Sequence, residues 1–103
     1  MIERRYQRFP VSLPCALMAH DGPHITRSVD LSKKGCRIQN TVRVAPNTVI
    51  DLLLFTGEDL PIAIPAANVR WCGADGIGIE FQALASYHQQ RLNLLLNQLQ
   101  KPH

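Results

Sequence analysis

The chain is 103 residues long with 46% hydrophobic and 18% charged residues, the balance of one globular domain without room for a second. Its formal net charge of +3 is mild, which fits a small anionic partner better than a nucleic acid polymer, whose binders carry denser basic clusters. No stretch approaches the ~20 apolar residues that span a bilayer. Arg4, Arg5 and Arg8 lead into no unbroken apolar run of the signal-peptide kind, so a cytoplasmic setting is expected.

Residues 1–10 read as a flexible basic arm, polar and without periodicity. From Val11 the pattern alternates, and Val11, Leu13, Cys15 and Leu17 share one face of a first strand. Pro14 inside that run marks an edge or a bulge. His20-Asp21-Gly22-Pro23 reads as a hairpin turn, and His24 to Val29 returns as a second strand. Residues 30–35 turn the chain into a short third strand, Cys36 to Asn40. Pro46-Asn47 punctuates the next loop, and Val49 to Phe55 forms an apolar fourth strand. Thr56-Gly57-Glu58-Asp59 turns again into a fifth strand, Ile62 to Trp71, bent or bulged at Pro65. After the turn from Cys72 to Asp75, Ile77, Ile79 and Phe81 alternate with Gly78 and Glu80 in a sixth strand.

From about Ser86 the period changes. Leu92, Leu95, Leu96 and Leu99 fall at i, i+3, i+4 and i+7, the stripe of an amphipathic helix. Ser86 is the expected N-cap and Pro102 the stop, with Leu94 off the stripe. The expected fold is mainly β: a small six-stranded antiparallel barrel over residues 11–82, preceded by the arm and followed by a helix over 84–100 laid against it.

The three cysteines are far apart, odd in number and without a CxxC, so neither a zinc site nor a disulfide framework is expected. Cys15 and Cys36 fall in phase with apolar neighbours and read as small buried hydrophobes, with Cys72 partly exposed. His20 and His24 flank a turn without a third ligand, and His88 lies on or near the helix surface. No Ser–His–Asp set or carboxylate pair has a supporting context, so no catalysis, metal or cofactor is expected.

Two segments stand out as binding machinery. The first is Arg4-Arg5-Tyr6-Gln7-Arg8. Four positions apart, Arg4 and Arg8 fall on one side of an extended arm and on one face of a helix, so their charges converge under either backbone. The second is Asp30-Leu31-Ser32-Lys33-Lys34-Gly35, a turn offering a carboxylate, a hydroxyl and a flexible backbone. Guanidinium forks grip phosphate oxygens or the O6 and N7 edge of guanine, and an aspartate accepts from guanine's other edge. Lys33 and Lys34 add positive potential nearby. Each residue also has a structural role open to it: an Asx turn for Asp30, a turn hydroxyl for Ser32, positive φ for Gly35.

An RxxxR arm followed by a (D/N)xSxxG turn resembles the signature of the PilZ domain family, here Arg4 to Arg8 and Asp30, Ser32 and Gly35. The likeness covers nearly the whole chain, since Val69-Arg70-Trp71 and Gly76-Ile77-Gly78-Ile79-Glu80-Phe81 also look like the family's closing strands. The resemblance implies a six-stranded barrel that binds the bacterial second messenger cyclic di-GMP. By it, Arg4 and Arg8 carry the ligand, Arg5 is a third contact, Asp30 and Ser32 bond guanine, and Gly35 lets the backbone approach. Trp71 lies in phase with Val69, which suits a core or rim residue; stacking on guanine is its alternative, and Arg70 is a weaker candidate contact.

The expected action is that of a receptor. The ligand orders the arm over the barrel, and the signal passes to a separate protein partner or to a second copy of the chain as a homodimer, since no output domain is expected here. The alternative is an interaction adaptor of the same family that binds no nucleotide.

Overall fold

The computed structural model describes residues 6–39 and 42–100. Arg4 and Arg5, the end of the expected third strand at Asn40, and the expected helix stop at Pro102 lie outside the described residues. Six strands precede one helix: β1 (Phe9–Ala19), β2 (Gly22–Leu31), β3 (Gly35–Ile38), β4 (Val49–Leu54), β5 (Ile62–Gly73), β6 (Gly76–Glu80) and α1 (Ser86–Gln100). All neighbours pair antiparallel, and the sheet closes on itself in the order β1-β2-β3-β6-β5-β4. Closure leaves no long free edge. The first strand begins at Phe9, two residues ahead of the start expected at Val11.

Alternation builds the interior. Cys15, Leu17, Cys36, Ile38, Leu52, Leu54, Ile62, Ile64, Val69 and Ile77 are buried and line one continuous core. Leu92 and Leu96 of α1 join it, while Leu95 and Leu99 pack at its margin and Leu94 stays exposed. Each fully buried side chain of this size is worth about 1.5–3 kcal/mol relative to exposure, so the barrel lining holds the fold.

Four irregularities break the register, the first between β1 and β2, where Val11 and Ser12 face Val29. Between β4 and β5, Asp51 alone faces the pair Pro65 and Ala66. Ala66 takes φ of 53°, and its N–H donates to Asp51 Oδ1 at 2.9 Å, which fixes the bend expected at Pro65. Between β2 and β3 the extra residue is Val29, and between β5 and β6 it is Arg70.

The helix docks through polar contacts that periodicity does not reveal. The first half of β5 pairs only with β4, which leaves the other side of its backbone open. There the Ala63 N–H donates to His88 Nδ1 at 3.2 Å. Arg91 donates to the Pro61 carbonyl at 3.1 Å, to the Leu60 carbonyl, and to Glu58 Oε1 at 2.9 Å, clasping the β4–β5 loop. Glu58 is held below the usual carboxylate range by its hydrogen bond from Arg91. The first helical bond runs from the Gln89 N–H to the Ala85 carbonyl, so Ala85 takes the capping position expected of Ser86.

Candidate functional site

The bulge at Val29 decides where Asp30 points. Thr26 and Ser28 face the interior, so strict alternation would bury Asp30 as well. The extra residue shifts the phase: Leu31 turns inward and Asp30 outward. Ser28 holds the kink, its buried hydroxyl donating to the Asp30 carbonyl at 2.8 Å. The carboxylate then gathers donors. Asp30 Oδ1 accepts from Arg8 Nη1 at 2.9 Å and from the Arg37 backbone N–H at 2.9 Å, and Oδ2 lies 3.6 Å from Arg37 Nε. Asp30 is therefore a strand-end acceptor for two arginines, rather than the Asx-turn residue its spacing suggested.

The turn belongs to Ser32. Its Oγ accepts from the Lys34 N–H at 3.3 Å and the Gly35 N–H at 3.1 Å, and donates to the Gly35 carbonyl at 3.2 Å. The Ser32 N–H closes the same loop onto the Gly35 carbonyl at 2.8 Å. The side chain is buried, so the hydroxyl shapes the turn from within and leaves Lys33 and Lys34 exposed at its tip.

Gly35 is needed for clearance. Positive φ is found at Gly22, Gly57 and Gly76, which corrects the expectation for Gly35. A Cβ on Gly35 would strike the carbonyl oxygen of Ile79, on the strand it pairs with.

Trp71 is also moved by a bulge. Val69 opposes Ile79 and is fully buried, but the extra residue at Arg70 brings Trp71 opposite Gly78 on the outer face. Trp71 is 43% exposed, so of the core or rim placement suggested by its phase with Val69, the core does not hold. Its indole lies directly over Gly78, where any Cβ would collide with the ring. Arg70 projects beside Glu80, with Nη1 3.5 Å from Oε1.

Register ties these residues together. Asp30 opposes Arg37, Arg37 opposes Gly78, and Gly78 opposes Trp71. Directly opposed residues share a face, so one row on the outside of the barrel runs from a carboxylate through a guanidinium to an indole. Arg8 reaches the carboxylate end of that row. Among the expected site residues, Arg8, Asp30, Ser32 and Gly35 thus come together, Trp71 ends the row, and Arg4 and Arg5 lie outside the described residues. Sequence reasoning missed Arg37. Its signal was available: it alternates with the apolar pair Cys36 and Ile38, which turns it outward beside Asp30.

Beneath the row, Cys36 is fully buried, and burial pushes its thiol well above the ordinary range, making it an inert core residue. A cleft of about 540 Å³ lies at the other end of β3, lined by Arg43 to Pro46 and Cys72 to Ala74, and contains none of the motif residues. Among the described residues no group of three or more His, Cys, Asp or Glu could hold a metal ion, and no helix is long and apolar enough to cross a membrane.

Comparison with known proteins gives the arrangement a family. The model of the PilZ domain matches residues 2–98. A search of curated protein sequences found no match. Among solved structures, the Klebsiella pneumoniae MrkH–c-di-GMP complex is similar with a TM-score of 0.79 at 20% identity, over 96% of this chain and 53% of that one. The PilZ domain of Escherichia coli YcgR with c-di-GMP gives 0.75 at 14% identity, over 95% and 92%. The Bacillus subtilis inhibitor of motility MotI/DgrA gives 0.74 at 19% identity, over 99% and 54%. This chain therefore spans about half the length of MrkH and of MotI, but nearly all of the isolated YcgR domain. At these identities the structures establish the fold. With the family model matching almost from end to end, and with the arm and turn meeting on a closed six-stranded barrel, the chain belongs to the PilZ domain family.

Proposed function

We propose that this protein is a cyclic di-GMP receptor whose basic arm, Arg4, Arg5 and Arg8, closes with the ligand onto the turn from Asp30 to Gly35. The observation that carries the reading is the meeting of Arg8 with Asp30 at 2.9 Å, at the end of an outward row that finishes in Trp71. The ligand class is that of the family and of the relatives from E. coli and K. pneumoniae solved with c-di-GMP. The ligand is a dianion with two guanine faces. Its phosphates suit the guanidiniums, its guanine edge suits Asp30, and its flat ring suits the exposed indole of Trp71. Ser32 and Gly35 contribute by setting the turn's shape.

The energetics permit the exchange. Arg8 is exposed, so its ion pair with Asp30 is screened and worth about 1 kcal/mol or less. Each charge-assisted bond to the ligand contributes roughly 1.5–3 kcal/mol before ordering costs, so two or three outweigh the pair they replace. The arm is then held against the barrel and the exposed surface changes, a change read in the cytoplasm by a separate protein partner or by a second copy of the chain. The role is that of a receptor without catalysis.

The same ion pair favours a second reading. A latch that arm and turn make from their own side chains suits an adaptor of this family that acts through protein contacts alone. Calorimetry with cyclic di-GMP separates the two. The receptor reading expects micromolar or tighter binding, about −8 kcal/mol, weakened at least tenfold by Arg8→Ala and by Asp30→Ala in proteins that still fold. Absence of heat and of any shift in melting temperature with the wild type would leave the adaptor.

A further inference from the structure

We propose that Arg37 is a positioning residue of this site: it holds the Asp30 carboxylate neutralised and aimed once Arg8 has left it for the ligand. The inference rests on the receptor reading above and adds a residue to it.

The two arginines on Asp30 are held differently. Arg8 precedes β1, and its bond to Asp30 Oδ1 is its one side-chain hydrogen bond among the described residues. Arg37 sits within β3, opposite Asp30 in register, and its backbone N–H is committed to Oδ1. Its stem lies along β6, with Cγ and Cδ 3.2 Å and 3.5 Å from where a Cβ on Gly76 would sit. The two side chains are equally exposed, at 39% and 38%, so what separates them is the backbone that carries each: a paired strand for Arg37, the segment ahead of β1 for Arg8. Arg8 can swing out to a phosphate; Arg37 stays.

Arg37 Nε marks what it does there. That nitrogen is buried and makes no hydrogen bond among the described residues, yet Oδ2 of Asp30 is only 3.6 Å away. A desolvated donor beside a carboxylate, just beyond bonding distance, is unfavourable to leave and easy to satisfy. While Arg8 draws on Oδ1, the carboxylate sits toward Arg8. When the phosphates take Arg8, a small tilt of Asp30 brings Oδ2 onto the Arg37 Nε–H. The carboxylate loses one charge-assisted bond and gains another, and Oδ1, still accepting from the Arg37 backbone N–H, has the lone pair that Arg8 vacated open to guanine. Without Arg37, releasing Arg8 would leave a half-buried carboxylate with a single backbone donor.

The test uses the full chain labelled with nitrogen-15. The Nε–Hε resonance of Arg37 is assigned by its loss in Arg37→Lys. On addition of cyclic di-GMP it is expected to move downfield and to exchange more slowly with water. By calorimetry Arg37→Met, which keeps the stem and the backbone N–H, is expected to bind roughly tenfold more weakly. Its melting temperature is expected to stay near the wild-type value, and Arg37→Lys to recover part of the loss. If the wild type binds the nucleotide while the Arg37 Nε–Hε signal stays unmoved, or if both variants bind like wild type, the inference fails and the receptor reading survives. If the wild type does not bind, both fall together. Should Arg37→Met fail to fold, the wild-type resonance and Arg37→Lys decide alone.

Discussion

Replacing single glycines by alanine tests the site's architecture, because Gly35, Gly78 and Gly73 stand in three different surroundings in the barrel. At Gly35 the new methyl would meet the Ile79 carbonyl oxygen, with Ile79 C at 3.5 Å and Glu80 Cα at 3.6 Å, all of it backbone. The contact falls roughly 1 Å short of the ~3.3 Å at which carbon and carbonyl oxygen normally approach. Nothing flexible can yield, so β3 must part from β6 and pull on the Ser32 loop that closes onto Gly35. Overpacking of this kind costs typically 1–3 kcal/mol, and rigid neighbours put Gly35→Ala at the upper end, about 2–3 kcal/mol. For a domain of this size that is a fall in Tm of about 10–20 °C. At Gly78 the atoms nearest the methyl belong to the indole of Trp71, a side chain that can rotate away. Gly78→Ala is expected to cost about 1 kcal/mol or less and to change the emission of the lone tryptophan. At Gly73 nothing lies within 4 Å and φ is not positive, so Gly73→Ala is expected to be neutral or stabilising by about 0.4–1 kcal/mol. Urea titrations of the three variants measure the order. A Gly35→Ala protein within about 0.5 kcal/mol of wild type, below the range expected for overpacking, would refute the clearance argument.

Other outcomes follow from the same contacts. Ser28→Ala removes the bond that holds the Val29 bulge and is expected to cost about 1–2 kcal/mol in urea and to weaken nucleotide binding; unchanged binding would mean that Asp30 keeps its aim without that support. Thr26 Oγ1 is buried without a partner among the described residues, so Thr26→Val is expected to stabilise by about 1 kcal/mol, and a lowered Tm would contradict it. Burial raises the Cys15 thiol to about 12 and shields Cys36, so a thiol reagent is expected to label Cys72 alone in the native protein and all three cysteines in denaturant, as mass spectrometry would count. Glu58 is depressed by Arg91, so its stabilising contribution is present above the ordinary carboxylate range and is lost as pH falls through its lowered value. The gap in urea midpoint between wild type and Glu58→Gln should therefore shrink on acidification, and a gap that widens would reverse the sign.

Much of the barrel was legible because its lining obeys a period of two and its helix a period of 3.6. Val49 to Leu54, Ile77 to Ile79 and the leucines of α1 declare their faces without tertiary help. The site was legible in part. The ordered pair of motifs pointed to Arg8 and Asp30, and those two side chains meet. What escaped was everything set by a change of phase. Trp71 shares parity with Val69, and Asp30 with Thr26 and Ser28, yet both tryptophan and aspartate face outward because one residue is inserted before each. A bulge depends on pairing with a distant strand, and a single chain read in order carries no mark of it at Val29 or Arg70. Gly35 was misread for a related reason: the obstacle that demands glycine belongs to β6, more than forty positions along the sequence. Arg91 and His88 looked like surface cover on an amphipathic helix until the β4–β5 loop folded over them.

The kink at Val29 sets the direction in which the acid faces. Removing that one residue would make the pairing with β3 regular and leave Ser28 inward, Asp30 outward and Leu31 inward, but Val11 and Ser12 of β1 would lose the residue that faces them. Regular pairing with Val29 kept in the ladder would instead turn the acid toward the hydrocarbon lining and Leu31 into solvent, so the irregularity, and not the residue count, keeps the carboxylate in water.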